Sequence, residues 1–185
     1  MDFDEFEKTI NLDMIVNDPI KLNRYKQLLV QRYAETCDCT TLVETGTYLG
    51  DMVAAIAPTF MNIISIELSH ELYVRAKQRF ILTPNVEILY GNSKDILPNV
   101  IKTIHNPIFW LDAHYSEGIT ARGDKDTPIA EELEIIKDVA KVILIDDARC
   151  FGKGDYPTIE YIESWAKEHG FVFENKKDIM RLVRE

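Results

Sequence analysis

Basic charge is scarce in this sequence: 21 Lys and Arg stand against 31 Asp and Glu, for a formal net charge of −10. Phosphate backbones are bound by basic stripes, and no Lys/Arg cluster with interleaved aromatics occurs, so no nucleic-acid partner is expected. Cysteine is sparse as well. Cys37, Cys39 and Cys150 are an odd number, and Cys37-Asp-Cys39 is too tightly spaced for a C-x-x-C metal clip, which suits a reducing compartment. Cys150 reads as a small packing residue, since no His base is fixed near it in sequence. No apolar run approaches the roughly twenty residues of a membrane span. The first residues, Met1-Asp-Phe-Asp-Glu5, are acidic where a secretory signal is basic. The expected location is therefore cytoplasmic, with no membrane association.

Hydrophobic residues make up 46% of the 185, enough to bury a sizeable core. Strand-like and helix-like stretches alternate without internal repeats or low-complexity linkers, which predicts an α/β sheet wrapped by helices on both faces. Residues 1–38 read as an N-terminal helical extension, with a helix starting near Pro19, capped by Asp18, and apolar positions Leu22, Tyr25, Leu29 and Tyr33. Residues 40–185 read as a Rossmann-like core completing one domain. Strands are predicted at 41–45, 62–67, 86–90, 107–112 and 141–146, and helices near 50–58, 69–82, 94–104, 128–139 and 157–168. Two further strand-like runs, Gly170–Glu174 and Ile179–Val183, flank the polar Asn175-Lys-Lys-Asp178 and should form a hairpin.

The first strand runs into Glu44-Thr-Gly46-Thr47-Tyr-Leu-Gly50. Glycine is needed where a strand-to-helix turn bends sharply or a ligand approaches closely. A dinucleotide fingerprint would require G-x-G-x-x-G, but position 48 is Tyr. The spacing Glu44-x-Gly46-x-x-x-Gly50 instead resembles the first motif of class I S-adenosylmethionine-dependent methyltransferases, whose turn cradles an amino acid and a ribose. That resemblance extends over residues 40–185. It implies a doubly wound, three-layer α/β/α sheet of seven strands, mostly parallel, with an antiparallel last strand. It also assigns a cofactor site. Glu44, Gly46, Thr47 and Gly50 line the turn; Glu67, ending the second strand, takes the ribose hydroxyls, with Leu68 against the adenine. Asn92 and Ser93, after Gly91, meet the adenine edge. Each has a plainer alternative: Glu67 as a solvated strand-end acid near Ser69, and Asn92-Ser93 as a helix cap.

Open α/β sheets bind ligands outside the carboxyl ends of their strands. Here Ile108-Phe-Trp-Leu-Asp112-Ala-His114 ends the fourth strand, and Val142-Ile-Leu-Ile-Asp146-Asp147 the fifth. Three carboxylates gathered there need a counter-charge or raised pKa values. They resemble the metal triad of magnesium-dependent O-methyltransferases, closest to the macrolide-sugar (macrocin) type. By that resemblance Asp112, Asp146 and Asp147 hold Mg2+ that orients an acceptor hydroxyl, Asp112 also borders the cofactor, and His114 removes the proton. Strand-end Asp residues also cap loops, and His114 can be an ordinary loop histidine. Tyr115–Thr127 lacks periodicity and is expected to help select the acceptor. The following helix, with Thr127 as cap, Glu131 and Glu132 in its first turn and Ile129, Leu133, Ile136 and Val139 as core, requires no functional explanation.

The expected activity is methyl transfer from S-adenosylmethionine to oxygen on a sugar or other small polyhydroxylated acceptor, with assembly into a homo-oligomer left open. Two alternatives stand beside it: a NAD-dependent oxidoreductase or epimerase, and a cofactor-binding partner protein without catalysis. Tyr48 and the terminal hairpin weigh against the first, and retention of the four rim residues against the second.

Overall fold

Stretches of four to six residues rich in β-branched and aromatic side chains, bounded by turns, become the strands. A computed structural model describes residues 5, 7–8, 18–112 and 127–184. Its strands are β1 Thr41–Thr45, β2 Asn62–Glu67, β3 Val86–Tyr90, β4 Pro107–Leu111, β5 Val142–Ile145, β6 Phe171–Lys176 and β7 Ile179–Arg184. The helices are α1 Pro19–Thr36, α2 Asp51–Ile56, α3 His70–Arg79, α4 Ser93–Val100, α5 Ile129–Ile136 and α6 Ile159–Glu168. The sheet order is β3-β2-β1-β4-β5-β7-β6. The first five strands run parallel, β7 pairs antiparallel with β5, and β6 with β7, so the sheet is the expected seven-stranded Rossmann-like one.

Side chains alternate across a strand, and both faces here are covered. Leu42, Ile63, Ile108, Trp110 and Leu144 pack with Tyr25, Leu29, Val53, Ile56 and Phe80 on one face. Val43, Ile64, Phe109, Leu111 and Ile143 pack with Leu97, Leu133, Ile136 and Trp165 on the other. Asp18 caps α1 by accepting from the Lys21 N–H at 3.2 Å, and Tyr25, Leu29 and Val30 are buried against the sheet.

Several helices end earlier than periodicity predicts. α2 stops at Ile56 and tightens into a 3-10 turn, Ala57–Thr59, where Pro58 has no N–H to continue the α pattern. α3 ends at Arg79, because Phe80 leaves helical geometry (φ −102°, ψ 12°) and packs beside Gly50. β1, β2 and β3 are placed as expected; β4, β5 and β7 agree within a residue at each end, and β6 starts one residue later and runs two residues further than predicted.

Candidate active site

The sheet ladder continues one residue beyond the central strands and thereby builds the rim. The Gly46 N–H donates to the Ile66 carbonyl at 2.9 Å, Asp112 to Thr45 at 3.0 Å, and Asp146 to Leu111 at 3.1 Å. Gly46, Glu67, Asp112 and Asp146 are thus brought to one edge, where the strand order reverses between β1 and β4.

Glu44 lies beneath that edge. Its carboxylate is 2% exposed and accepts from Ser65 Oγ, its cross-strand partner; with that proton committed, Thr47 Oγ1 donates to Ser65 at 2.6 Å. Burial pushes the Glu44 carboxyl up to about 8, Ser65 opposing and the Asp112 and Glu67 charges adding. Glu44 and Thr47 therefore act on the turn from inside. Gly46 adopts φ +89° and Gly50 φ +77°. A Cβ on Gly50 would stand 2.8 Å from the Phe80 ring, so packing alone requires glycine there.

Glu67 bridges the turn. Its Oε2 accepts from the Tyr48 N–H and its Oε1 from the Ser69 N–H, both at 2.8 Å. Burial raises its pKa while those N–H groups oppose. The Leu68 and Thr47 N–H groups act on it in the same sense, so four backbone donors face this carboxylate. Glu67 is 5% exposed, so it is not the solvated acid of the plainer reading, although it does meet the Ser69 N–H and braces the turn. Leu68 is half-buried beside it. Asn92 caps α4, its Oδ1 accepting from Lys94 N at 3.3 Å, and Ser93 is buried, so the capping alternative is present for this pair.

A small cleft lies beyond β4 and β5 and is lined by Asp112, Glu132, Asp146, Asp147, Phe151 and Tyr156 among others. His114 and the stretch 115–126 lie outside the described residues. Two residues that carried no functional expectation enter this region. Glu132, on α5, is 1% exposed; burial pushes its carboxyl up to about 7, with the Ser93 and Thr45 hydroxyls pulling the other way. Even so, Glu132 Oε1, Thr45 Oγ1 and Ser93 Oγ all lack a closed hydrogen bond among the described residues. Lys26, on α1, forms an ion pair with Asp146 Oδ2, the two side chains being 16% and 2% exposed. Burial works against its charge, but Asp146, Asp112 and Asp147 outweigh it and raise its pKa. Both residues carried a readable signal. Lys26 interrupts the stripe Leu22-Lys26-Leu29-Tyr33, and Glu132 the stripe Ile129-Glu132-Leu133-Ile136.

The triad does not fit a metal in this arrangement. Asp146 spends Oδ2 on Lys26 and Oδ1 on the Asp147 N–H at 2.9 Å. Asp147, held at φ +55°, has Oδ1 on Arg149 Nη1 at 2.6 Å, and Arg149 also pairs with Asp178. Among the described residues, no three His, Cys, Asp or Glu side chains form a cation site. The counter-charge sought in a divalent ion is supplied by Lys26. Burial first and the Asp112 charge second nevertheless push the Asp146 carboxyl up, against the pull of Lys26. The three cysteines are free, and burial raises the Cys150 thiol, in keeping with a packing role.

No family model matches the chain, and no curated protein matches it in sequence. Its fold is nonetheless shared with solved methyltransferases. A Staphylococcus aureus protein provisionally assigned as a caffeoyl-CoA O-methyltransferase superposes with a TM-score of 0.65 at 16% identity, over 96% of this chain and 94% of that one. TomG, an O-methyltransferase from Streptomyces achromogenes involved in tomaymycin synthesis and solved with SAM, gives 0.59 at 16% identity, over 86% and 80%. An O-methyltransferase from Bacillus cereus solved with SAH gives 0.59 at 18%, over 89% and 81%. At these identities the likeness establishes the fold.

Proposed function

We propose that this chain transfers a methyl group from S-adenosylmethionine to a hydroxyl oxygen of a small polyhydroxylated acceptor, a sugar being the first class to test. The observation that carries the reading is the pairing, along one sheet edge, of the Gly46 turn braced by Glu67 with an acid-lined cleft beyond β4 and β5. The first suits a nucleoside and amino acid, the second a hydroxylated molecule. Similar folds solved with SAM or SAH give independent support. When bound, the cofactor supplies an electrophilic methyl on a sulfonium, so the protein's part is placement and the removal of one proton.

Glu67 accepts from the ribose hydroxyls, Gly46 lets the backbone approach, and Leu68, Asn92 and Ser93 border the base. Asp112, between the two halves, accepts from the acceptor hydroxyl and points its oxygen toward the methyl. His114, two residues beyond, is the proposed base. No step is routed through a metal, because Asp146 and Asp147, two of the three donors that would hold one, are engaged with Lys26, Arg149 and a backbone N–H.

Calorimetric titration with S-adenosylmethionine, S-adenosylhomocysteine and NAD tests this reading without knowledge of the acceptor. Affinity for the first two in the micromolar range, about −8 kcal/mol, with none for NAD, is the expected result. Binding of NAD alone would overturn it and transfer Glu67 to a dehydrogenase-type site.

A further inference from the structure

Lys26 stands one residue after Tyr25, which is 1% exposed, and three and four before Leu29 and Val30, both fully buried. This anchoring fixes the helix turn against the sheet and aims an ammonium group at the carboxyl ends of β4 and β5. There it meets Asp146, with Asp112 and Asp147 close enough to act on its charge. Long cationic side chains ordinarily extend to solvent and bury only their stems. Here the charged end meets a buried carboxylate.

A divalent ion seated among the same three acids would lie within a few ångströms of that ammonium. Like charges at such separations in a site partly shielded from water repel strongly. The ion would also have to break the Asp147–Arg149 pair and the Asp146 bond from the Asp147 N–H.

We propose that Lys26 is the resident cation of this rim, a positioning residue that fixes Asp146 and faces Asp112, and that the site acts without a divalent metal. Its exclusion of metal stands on the geometry alone. Its part in methyl transfer rests on the function proposed above, with the Lys26 ammonium holding the acids in place while the acceptor hydroxyl docks on Asp112.

Manganese titration of the full chain, read by the loss of the free-ion electron paramagnetic signal, tests the first part directly. The wild type should show no site tighter than about millimolar, with or without S-adenosylhomocysteine. Lys26→Met, which keeps the apolar stem and removes the charge, should bind Mn2+ at least about tenfold more tightly, and Lys26→Arg should restore exclusion. Micromolar Mn2+ binding by the wild type, or equal affinities in wild type and Lys26→Met, would overturn the inference. The wild-type titration decides the matter even if Lys26→Met does not fold. S-adenosylhomocysteine affinity, measured on the same samples, keeps the two readings apart. Its absence alongside the expected Mn2+ pattern removes the methyl-transfer role and leaves Lys26 as the rim's cation.

Discussion

Glu132 concentrates what a single residue can hide. Its carboxyl is buried, lacks a closed hydrogen bond at Oε1 and is pushed up to about 7 from 4.5 by that burial. The folded state keeps this proton over a range where the unfolded chain has released it. The contribution of Glu132 to stability is therefore greatest below pH 4.5, falls as pH rises toward 7 and is flat above. The displacement corresponds to about 3 kcal/mol at most. Glu132→Gln removes the titration and keeps the shape. Urea denaturation at pH 5 and pH 8 should show the variant gaining about 2 kcal/mol on the wild type between the two values. Equal pH dependence in both proteins would mean that Glu132 is not strained by burial. The acids at strand ends were legible in the sequence because an apolar run closing on Asp is a sharp boundary. Glu132 and Lys26 were harder to see. Each sits within an apolar stripe and looks like an ordinary polar helix residue until the partner element, distant in sequence, is placed against it.

At the scale of elements, the strands were the most legible part, since Ile108-Phe-Trp-Leu111 and Val142-Ile-Leu-Ile145 leave little alternative to a strand buried on both faces. Helix ends were less so, because tertiary contacts decide them: α3 stops where Phe80 turns to cover Gly50. That contact makes the β1–α2 turn dependent on a residue thirty positions away. Gly50→Ala meets both an unfavourable φ of +77° and a contact of 2.8 Å with the Phe80 ring. Gly152, at φ +82°, has nothing within 4 Å of an added Cβ. Thermal unfolding should therefore separate them, Gly152→Ala losing about 1 kcal/mol from backbone strain and Gly50→Ala about 2–4 kcal/mol from strain plus overpacking. Comparable losses would show that Phe80 yields freely and that the turn is set by backbone conformation alone.

Across the described residues, buried acids of this −10 chain are answered by local cations. At the rim these are Lys26, for Asp146, and Arg149, for Asp147. Elsewhere the cation is Arg181 on β7, 3% exposed, which donates to Glu7 Oε1 at 2.5 Å and to Tyr25 Oη at 2.7 Å, while Lys176 on β6 takes Glu7 Oε2. The network joins a residue near the start of the sequence, the helix that carries Lys26 and the terminal hairpin, a connection that sequence periodicity cannot express. Burial opposes the Glu7 charge, but the bonds from Arg181, Lys176 and Tyr25 hold its carboxyl down at about 2. Its contribution is thus present above pH 4.5 and is lost as pH falls toward 2, opposite in sign to that of Glu132. The two trends place maximum stability of the ligand-free protein in mildly acidic solution. Arg181→Met should cost about 3–5 kcal/mol in urea denaturation near pH 7, because it leaves the Glu7 carboxylate buried with less compensation. Adding Glu7→Gln to that variant should recover part of the loss, because the stranded charge disappears with it. If the double variant were instead less stable than Arg181→Met by the full cost of Glu7→Gln alone, the two residues would be energetically independent, and α1 would be held, and Lys26 aimed, by apolar packing rather than by this network.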